Sequence, residues 1–193
     1  MFDVGGHIGY FSLIAATLLQ PEGSIIAFEP SPQNASQFRQ NLEVNPDLAR
    51  MVRLEEAAVS DAPGTAVFEV GDNSYVGHLA ADSGTKVQSA ATVRVRTIVL
   101  DTFAEAEALW PDFVKVDAEG AESMIFRGMQ KILAARRPTL LVEIHDRSSY
   151  VDFLTLLARQ NYVARRLGFD ETFSGAPDYT PDTEYLAVAV AAK

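Results

Sequence analysis

The feature that most constrains this chain is its opening turn, Asp3-Val4-Gly5-Gly6-His7-Ile8-Gly9. A short apolar scrap, Met1-Phe2, precedes it, and an apolar helical run over residues 8–19 follows. A strand, a glycine-rich turn and a helix start form a cradle for a nucleotide-like ligand. Glycines let a ligand approach the backbone, and the first N–H groups of the helix lack partners within the helix. A chain that opens this way is expected to build an α/β sheet around that cradle.

The spacing discriminates between ligands. A dinucleotide fingerprint reads Gly-x-Gly-x-x-Gly. Here His7 stands where the second glycine should let the backbone meet a pyrophosphate. The pattern present is acidic-x-Gly-x-x-x-Gly, with Asp3, Gly5 and Gly9 at the fixed positions. S-adenosylmethionine carries an α-amino group and a sulfonium, and the carboxylate of Asp3 suits those cations where it would repel a diphosphate. A plain tight turn between strand and helix is the simpler alternative.

The rest of the chain alternates strand and helix patterns. Residues 24–28 read as a buried strand and 31–44 as a helix closed by Asn45-Pro46. Residues 52–59 read as a third strand. Residues 65–70 and 92–98 read as an added antiparallel pair, separated by a polar loop over 71–89 with no clear period. Residues 113–116 and 139–144 read as buried strands, with a helix over 121–135 between them that Gly128 breaks. An amphipathic helix over 148–160 and strands over 162–167 and 184–190 complete the chain. This order predicts one domain over 1–193 with a mostly parallel sheet covered on both faces.

Ligands in such sheets bind beyond the carboxyl ends of the strands. Acidic residues and glycines recur there: Asp3 and Gly5, Glu29, Asp117 with Glu119, and Glu143 with His145. Glu29 lies about twenty residues after the glycine turn, where an acid can accept both hydroxyls of a ribose. Asp117 and Glu119 are placed to orient a substrate hydroxyl or bind a divalent ion; Asp117 could equally cap the next helix. His145 is the side chain best matched to deprotonating a hydroxyl near neutral pH, although a lone strand-end histidine often serves structure. Glu122 reads as a helix residue that packs or is solvated. His7 reads as lining the cofactor turn, and His78 sits in the 71–89 loop.

Composition narrows the partners. The net charge is −10 and there are no cysteines, which removes disulfides, thiolate metal sites and cysteine nucleophiles. Sequence-independent nucleic-acid binding needs Lys and Arg facing phosphates, so no nucleic-acid partner is expected. No apolar run is long enough to span a membrane and no signal peptide is visible, which together suggest a cytoplasmic protein without a membrane partner. A small-molecule or glycan substrate fits better than a polyanion. No sequence feature fixes the oligomeric state.

Four segments carry a family resemblance: residues 2–10 (FDVGGHIGY), 28–32 (FEPSP), 116–122 (VDAEGAE) and 143–145 (EIH). Together they resemble the FkbM family of S-adenosylmethionine-dependent methyltransferases, over nearly the whole chain. The resemblance implies a Rossmann-like class I fold: a seven-stranded, mostly parallel sheet with an antiparallel last strand, plus the small inserted β-hairpin. It assigns Asp3, Gly5 and Gly9 to the cofactor's methionine end and Glu29 to its ribose; Gly6, His7, Pro30 and Ala58 are read as further cofactor-binding residues. It implies O-methylation of a sugar, glycan or natural-product hydroxyl. For that reaction Asp117, Glu119 and His145 are read as the catalytic group, with His145 or Asp117 as the base or orienting residue and Glu119 and Glu143 shaping the site. Paired carboxylates could also hold Mg²⁺, although no dedicated metal motif is visible.

The family usually shows Ala-Asn where this chain has Gly6-His7, and relatives usually carry a segment ahead of the first strand. Two other functions remain open to the sequence: a nicotinamide-dependent oxidoreductase, and a non-catalytic cofactor-binding interaction module. Acceptor specificity is expected in residues 71–89 and 168–182.

Overall fold

The computed structural model describes residues 1–70, 77–79, 91–167 and 185–192. The chain forms two compact units, one of Met1–Ala58 with Pro63–Ile98, the other of Val59–Ala62 with Val99–Lys193. The fold is mixed α/β. Its main sheet has seven strands and is mostly parallel.

In the first unit, β1 (Phe2–Val4), β2 (Ile25–Phe28) and β3 (Val52–Glu55) pair in parallel, Phe2 opposite Ile26 and Ile25 opposite Val52. β1 and β2 are buried along their whole length, as expected of strands covered on both faces. Helix α1 (Tyr10–Leu18) leaves the glycine turn. Helix α2 (Pro32–Glu43) starts with Pro32 in its first turn, where a missing N–H costs nothing, and the Ser31 hydroxyl caps it by accepting from Asn34 N–H. A one-turn helix, α3 (Pro46–Ala49), follows. Phe38, Ala16, Ile25, Ala27 and Val52 form the core between these elements.

The expected third strand over 52–59 is two strands. An N–H···O bond of 2.9 Å from Ala57 to Glu55 folds the backbone back on itself. Beyond it β4 (Ala58–Val59) joins a separate four-stranded sheet. That sheet contains β5 (Gly64–Val70), β6 (Gly77–Leu79) and β7 (Ala91–Ile98). β5 and β7 pair antiparallel, Gly64 opposite Thr97, as the sequence predicts. β6 is a short strand within what reads as a loop. It pairs with the other edge of β5, with His78 opposite Glu69. The remaining residues of 71–89, and all of 168–182, lie outside the described residues.

In the second unit, α4 (Leu100–Glu107) leads to β8 (Phe113–Val116), then α5 (Glu122–Arg127), α6 (Gln130–Arg136) and β9 (Thr139–Ile144). Helix α7 (Arg147–Gln160), β10 (Tyr162–Arg166) and β11 (Tyr185–Ala191) complete it. β8 and β9 are parallel, while β11 runs antiparallel to both β9 and β10. The helix expected over 121–135 does divide at Gly128. A Cβ there would lie 2.5 Å from the Ser60 carbonyl oxygen, so only glycine permits the approach. Asp101, on α4, accepts from Lys131 N–H and Ile132 N–H at 2.9 Å each and thereby caps α6 from a distance. Phe126 and Phe153 meet at 5.7 Å between α5 and α7.

Candidate active site

The glycine turn is built by backbone and buried polar contacts within the first unit. Gly5 N–H and Gly6 N–H both donate to the Phe28 carbonyl, at 3.1 and 2.9 Å, and Gly9 N–H closes the turn on Gly6 O at 2.8 Å. Gly5, His7 and Gly9 all have positive φ. Gly9 has a second constraint. At φ +86°, a Cβ would sit 2.2 Å from the Phe38 ring. His7 adopts the left-handed region without being glycine (φ 50°), and its N–H is held by Glu29 Oε2 at 2.8 Å.

Glu29 is buried, and its other oxygen accepts from Ser31 N–H at 2.8 Å and from the Asn34 amide at 3.3 Å. Asp3 is fully buried, and its Oδ2 accepts from Ser12 Oγ at 2.5 Å, fastening α1 to β1. Asn41 donates to the Ile8 carbonyl at 2.8 Å. Asn34, Phe38 and Asn41 thus support the turn from one face of α2. Sequence reasoning missed them, although their 34/38/41 spacing is a helical-face signal. Pro30 follows Glu29 directly. Ala58 is buried in a small cluster with Phe68 and Val95.

These residues fit a nucleoside-type cofactor. The first turn of α1 has no side-chain cap, so its N-terminal N–H groups are not satisfied by a side chain. Gly5 and Gly6 carry no side chain over the turn, and a buried carboxylate stands fixed beside it.

The second unit carries the acidic and histidine residues. β8 and β9 are parallel, so Asp117 and His145 both follow strand ends on the same edge of the sheet. Asp117 does not cap α5, whose N-cap residue is Ala121 with no side-chain cap bond. Instead Asp117 Oδ2 pairs with the buried Lys115 Nζ at 3.0 Å. Beyond it the backbone turns through two positive-φ residues, Glu119 (46°) and Gly120 (91°).

His145 lies at the centre. Its Nδ1 is 2.9 Å from Glu122 Oε1. Its Nε2 is 3.6 Å from Asp117 Oδ1, 3.8 Å from Glu119 Oε2 and 3.9 Å from Glu143 Oε1. Burial alone would lower the imidazole pKa; the hydrogen bond and charge of Glu122, then the charges of Glu119 and Asp117, outweigh it and raise the value to about 9. The ring is therefore a cation at neutral pH.

Glu122 is completely buried. Besides His145, its Oε1 accepts from Gly120 N–H at 3.1 Å and Ala118 N–H at 3.4 Å, and its Oε2 accepts from Ser149 Oγ at 3.1 Å. A solvated Glu122 is thus ruled out and a packed one is found.

Asp117, Glu143 and His145 each offer one ligand atom, and these atoms lie within 4.8 Å of one another. Mg²⁺ suits such carboxylates, but the protonated ring would first have to lose its proton to ligate.

A parallel α/β sheet with a glycine turn after its first strand, a buried acid after its second and an acid–histidine cluster after later strands defines the Rossmann-like class I methyltransferase fold. The comparisons agree. The chain belongs to the FkbM methyltransferase family, whose domain matches residues 3–169.

A curated relative, the hexuronic acid methyltransferase AglP of Haloferax volcanii, is 29% identical over 176 residues, covering 90% of this chain and 68% of its own length. The crystal structure of methyltransferase FkbM from Methylobacillus flagellatus KT superposes with a TM-score of 0.64 at 17% identity. It covers 98% of this chain, and this chain spans 42% of its length. Precorrin-6y C5,15-methyltransferase of Geobacter metallireducens GS-15 shares the fold at a TM-score of 0.53 and 19% identity, covering 100% of this chain and 78% of its own. Among the described residues, no helix is long and apolar enough to cross a membrane.

Proposed function

We propose that this chain transfers a methyl group from S-adenosylmethionine to a hydroxyl oxygen of a sugar or glycan. The observation that carries the reading is the His145 ring edge, with three carboxylates within 3.9 Å of Nε2. Carboxylates gathered around a proton-carrying ring suit a polyhydroxyl acceptor: the acids accept its O–H groups, and the ring exchanges a proton with the reacting one. The name of the Haloferax relative supports a sugar acceptor.

The cofactor would be held by Asp3, Gly5, Gly6, His7, Gly9, Glu29, Pro30 and Ala58. It supplies an electrophilic methyl on a sulfonium. Glu29 accepts from the ribose hydroxyls with a carboxylate already fixed by His7 and Ser31 N–H groups. Asp3 acts through its charge, since its carboxylate is buried against Ser12. Asp117, held by Lys115, orients the acceptor hydroxyl. His145 takes the hydroxyl proton from the fraction of molecules in which its ring is neutral. Line-up of oxygen and methyl is the main contribution of the protein.

The test is transfer of tritiated methyl from S-adenosylmethionine to methyl β-glucuronide and methyl β-glucoside, with calorimetric titration of S-adenosylhomocysteine. Binding of the latter and turnover of at least one glycoside are expected. Tight NAD binding without S-adenosylhomocysteine binding would overturn the reading. Full activity in both His145→Gln and Asp117→Asn would remove the residue assignment.

A further inference from the structure

Glu122 is the least expected group in the second unit, a carboxylate with no exposed surface on the first residue of a helix. A buried carboxylate costs several kcal/mol unless charge and hydrogen bonds compensate it. Its hydrogen bonds join three elements: the β8–α5 turn through Ala118 and Gly120, the end of β9 through His145, and the first turn of α7 through Ser149. Among the described residues, the imidazole is the cation in that shell.

We propose that Glu122 is the positioning residue for His145: by accepting from Nδ1–H it fixes the ring plane and leaves Nε2 facing Asp117, Glu119 and Glu143. The inference rests on the acceptor-site reading given under Proposed function. Glu122 touches neither acceptor nor cofactor. It acts through the ring, as the outer partner of a functional histidine does when it sets which nitrogen is presented.

Ser149 supplies an unusually clean variant. Its Oγ lies 3.1 Å from Glu122 Oε2 and 2.6 Å from Asp146 Oδ2, yet a hydroxyl has one proton to give. Glutamine at position 122 resolves that competition, because its amide N–H can donate to Ser149 Oγ while Ser149 donates to Asp146. Its carbonyl can still accept from the turn N–H groups and from His145. Glu122→Gln therefore keeps the hydrogen-bonding pattern and differs by one charge; it is expected to fold, with a lower urea midpoint at neutral pH because the ring loses its paired carboxylate.

If Glu122 merely anchors the turn, glutamine serves equally and turnover on the plateau above about pH 9 stays within about twofold. A positioning role predicts that kcat on the plateau above about pH 9, where the ring is largely neutral in both proteins, falls by about tenfold or more while KM for S-adenosylmethionine and for methyl β-glucuronide holds within about twofold. It also predicts non-additivity: on a His145→Gln background, Glu122→Gln costs nothing further. Unchanged kcat, or additive losses, would overturn the proposal.

A readout independent of turnover separates this inference from the proposed reaction. The protein has three histidines, and the ring N–H signal of His145 can be assigned by its loss in His145→Gln. A charge-assisted bond is about twice as strong as a neutral one. At fixed pH the Nδ1–H is therefore expected to exchange with solvent about tenfold faster in Glu122→Gln. Equal exchange rates overturn the positioning role whether or not any glycoside is methylated.

Discussion

The protonation of His145 is the property of a single residue that most directly sets behaviour. A ring whose pKa rises from 6.5 to about 9 on folding binds its proton more tightly in the folded state. That contribution to stability is fully present below pH 6.5, declines above it and is gone once the pH passes about 9. Urea midpoints measured from pH 6 to 9.5 should fall across that window in the parent, and the fall should shrink in His145→Gln. The same ring predicts the rate profile. If it takes the acceptor's proton, kcat/KM climbs from pH 7 to a plateau above about 9. A profile flat from pH 6 to 8 would pass the proton to a carboxylate instead. If His145 takes the acceptor's proton without help from a metal, EDTA leaves turnover unchanged. Gly9 offers a purely steric counterpart. Alanine there meets both a left-handed backbone and the Phe38 ring, and thermal unfolding should report a loss of about 2 kcal/mol or more.

At the scale of elements, the contacts that seat the helices decide both stability and the shape of the turn. Asp101→Ala removes the acceptor for two backbone N–H groups at the start of α6. It should cost about 2 kcal/mol in denaturant unfolding. Ser31→Ala, which removes the hydroxyl cap of α2, should cost about 1 kcal/mol. These helices also show what a sequence reveals. The divided helix at Gly128 and the strand over Thr139–Ile144 were legible, because glycine and a β-branched apolar run are local signals. Helix α4 was not: it begins at Val99 without a side-chain cap, and it is short. The break between β3 and β4 was hidden because the backbone alone makes the bend. The residue types around the candidate site could be read from strand-end positions. Their connections could not. A glutamate on a helix reads as either packed or solvated until the fold closes over it, as it does on Glu122. The bonds that tie Glu29 to His7 and Ser31 N–H groups leave no mark in the side-chain pattern.

For the whole molecule, ligand binding and folding are one linked equilibrium. S-adenosylhomocysteine at about one hundred times its dissociation constant should stabilise the protein by about 2.7 kcal/mol, read as a rise in Tm. NAD at the same concentration should leave Tm unchanged. The path of the chain has a separate consequence. Residues Val59–Ala62 lie far from Val99–Lys193 in sequence yet belong to the same compact unit. There the Ser60 backbone packs against Gly128, and Asp61 pairs with Arg127 at 2.8 Å. A gene cut after Ile98 would therefore not yield two autonomous halves. The downstream product would lack the tetrapeptide that fills the notch at Gly128, and the upstream product would carry that tetrapeptide with nothing to receive it. Recombination that exchanges acceptor specificities between relatives should keep 59–62 and 99–193 from the same parent.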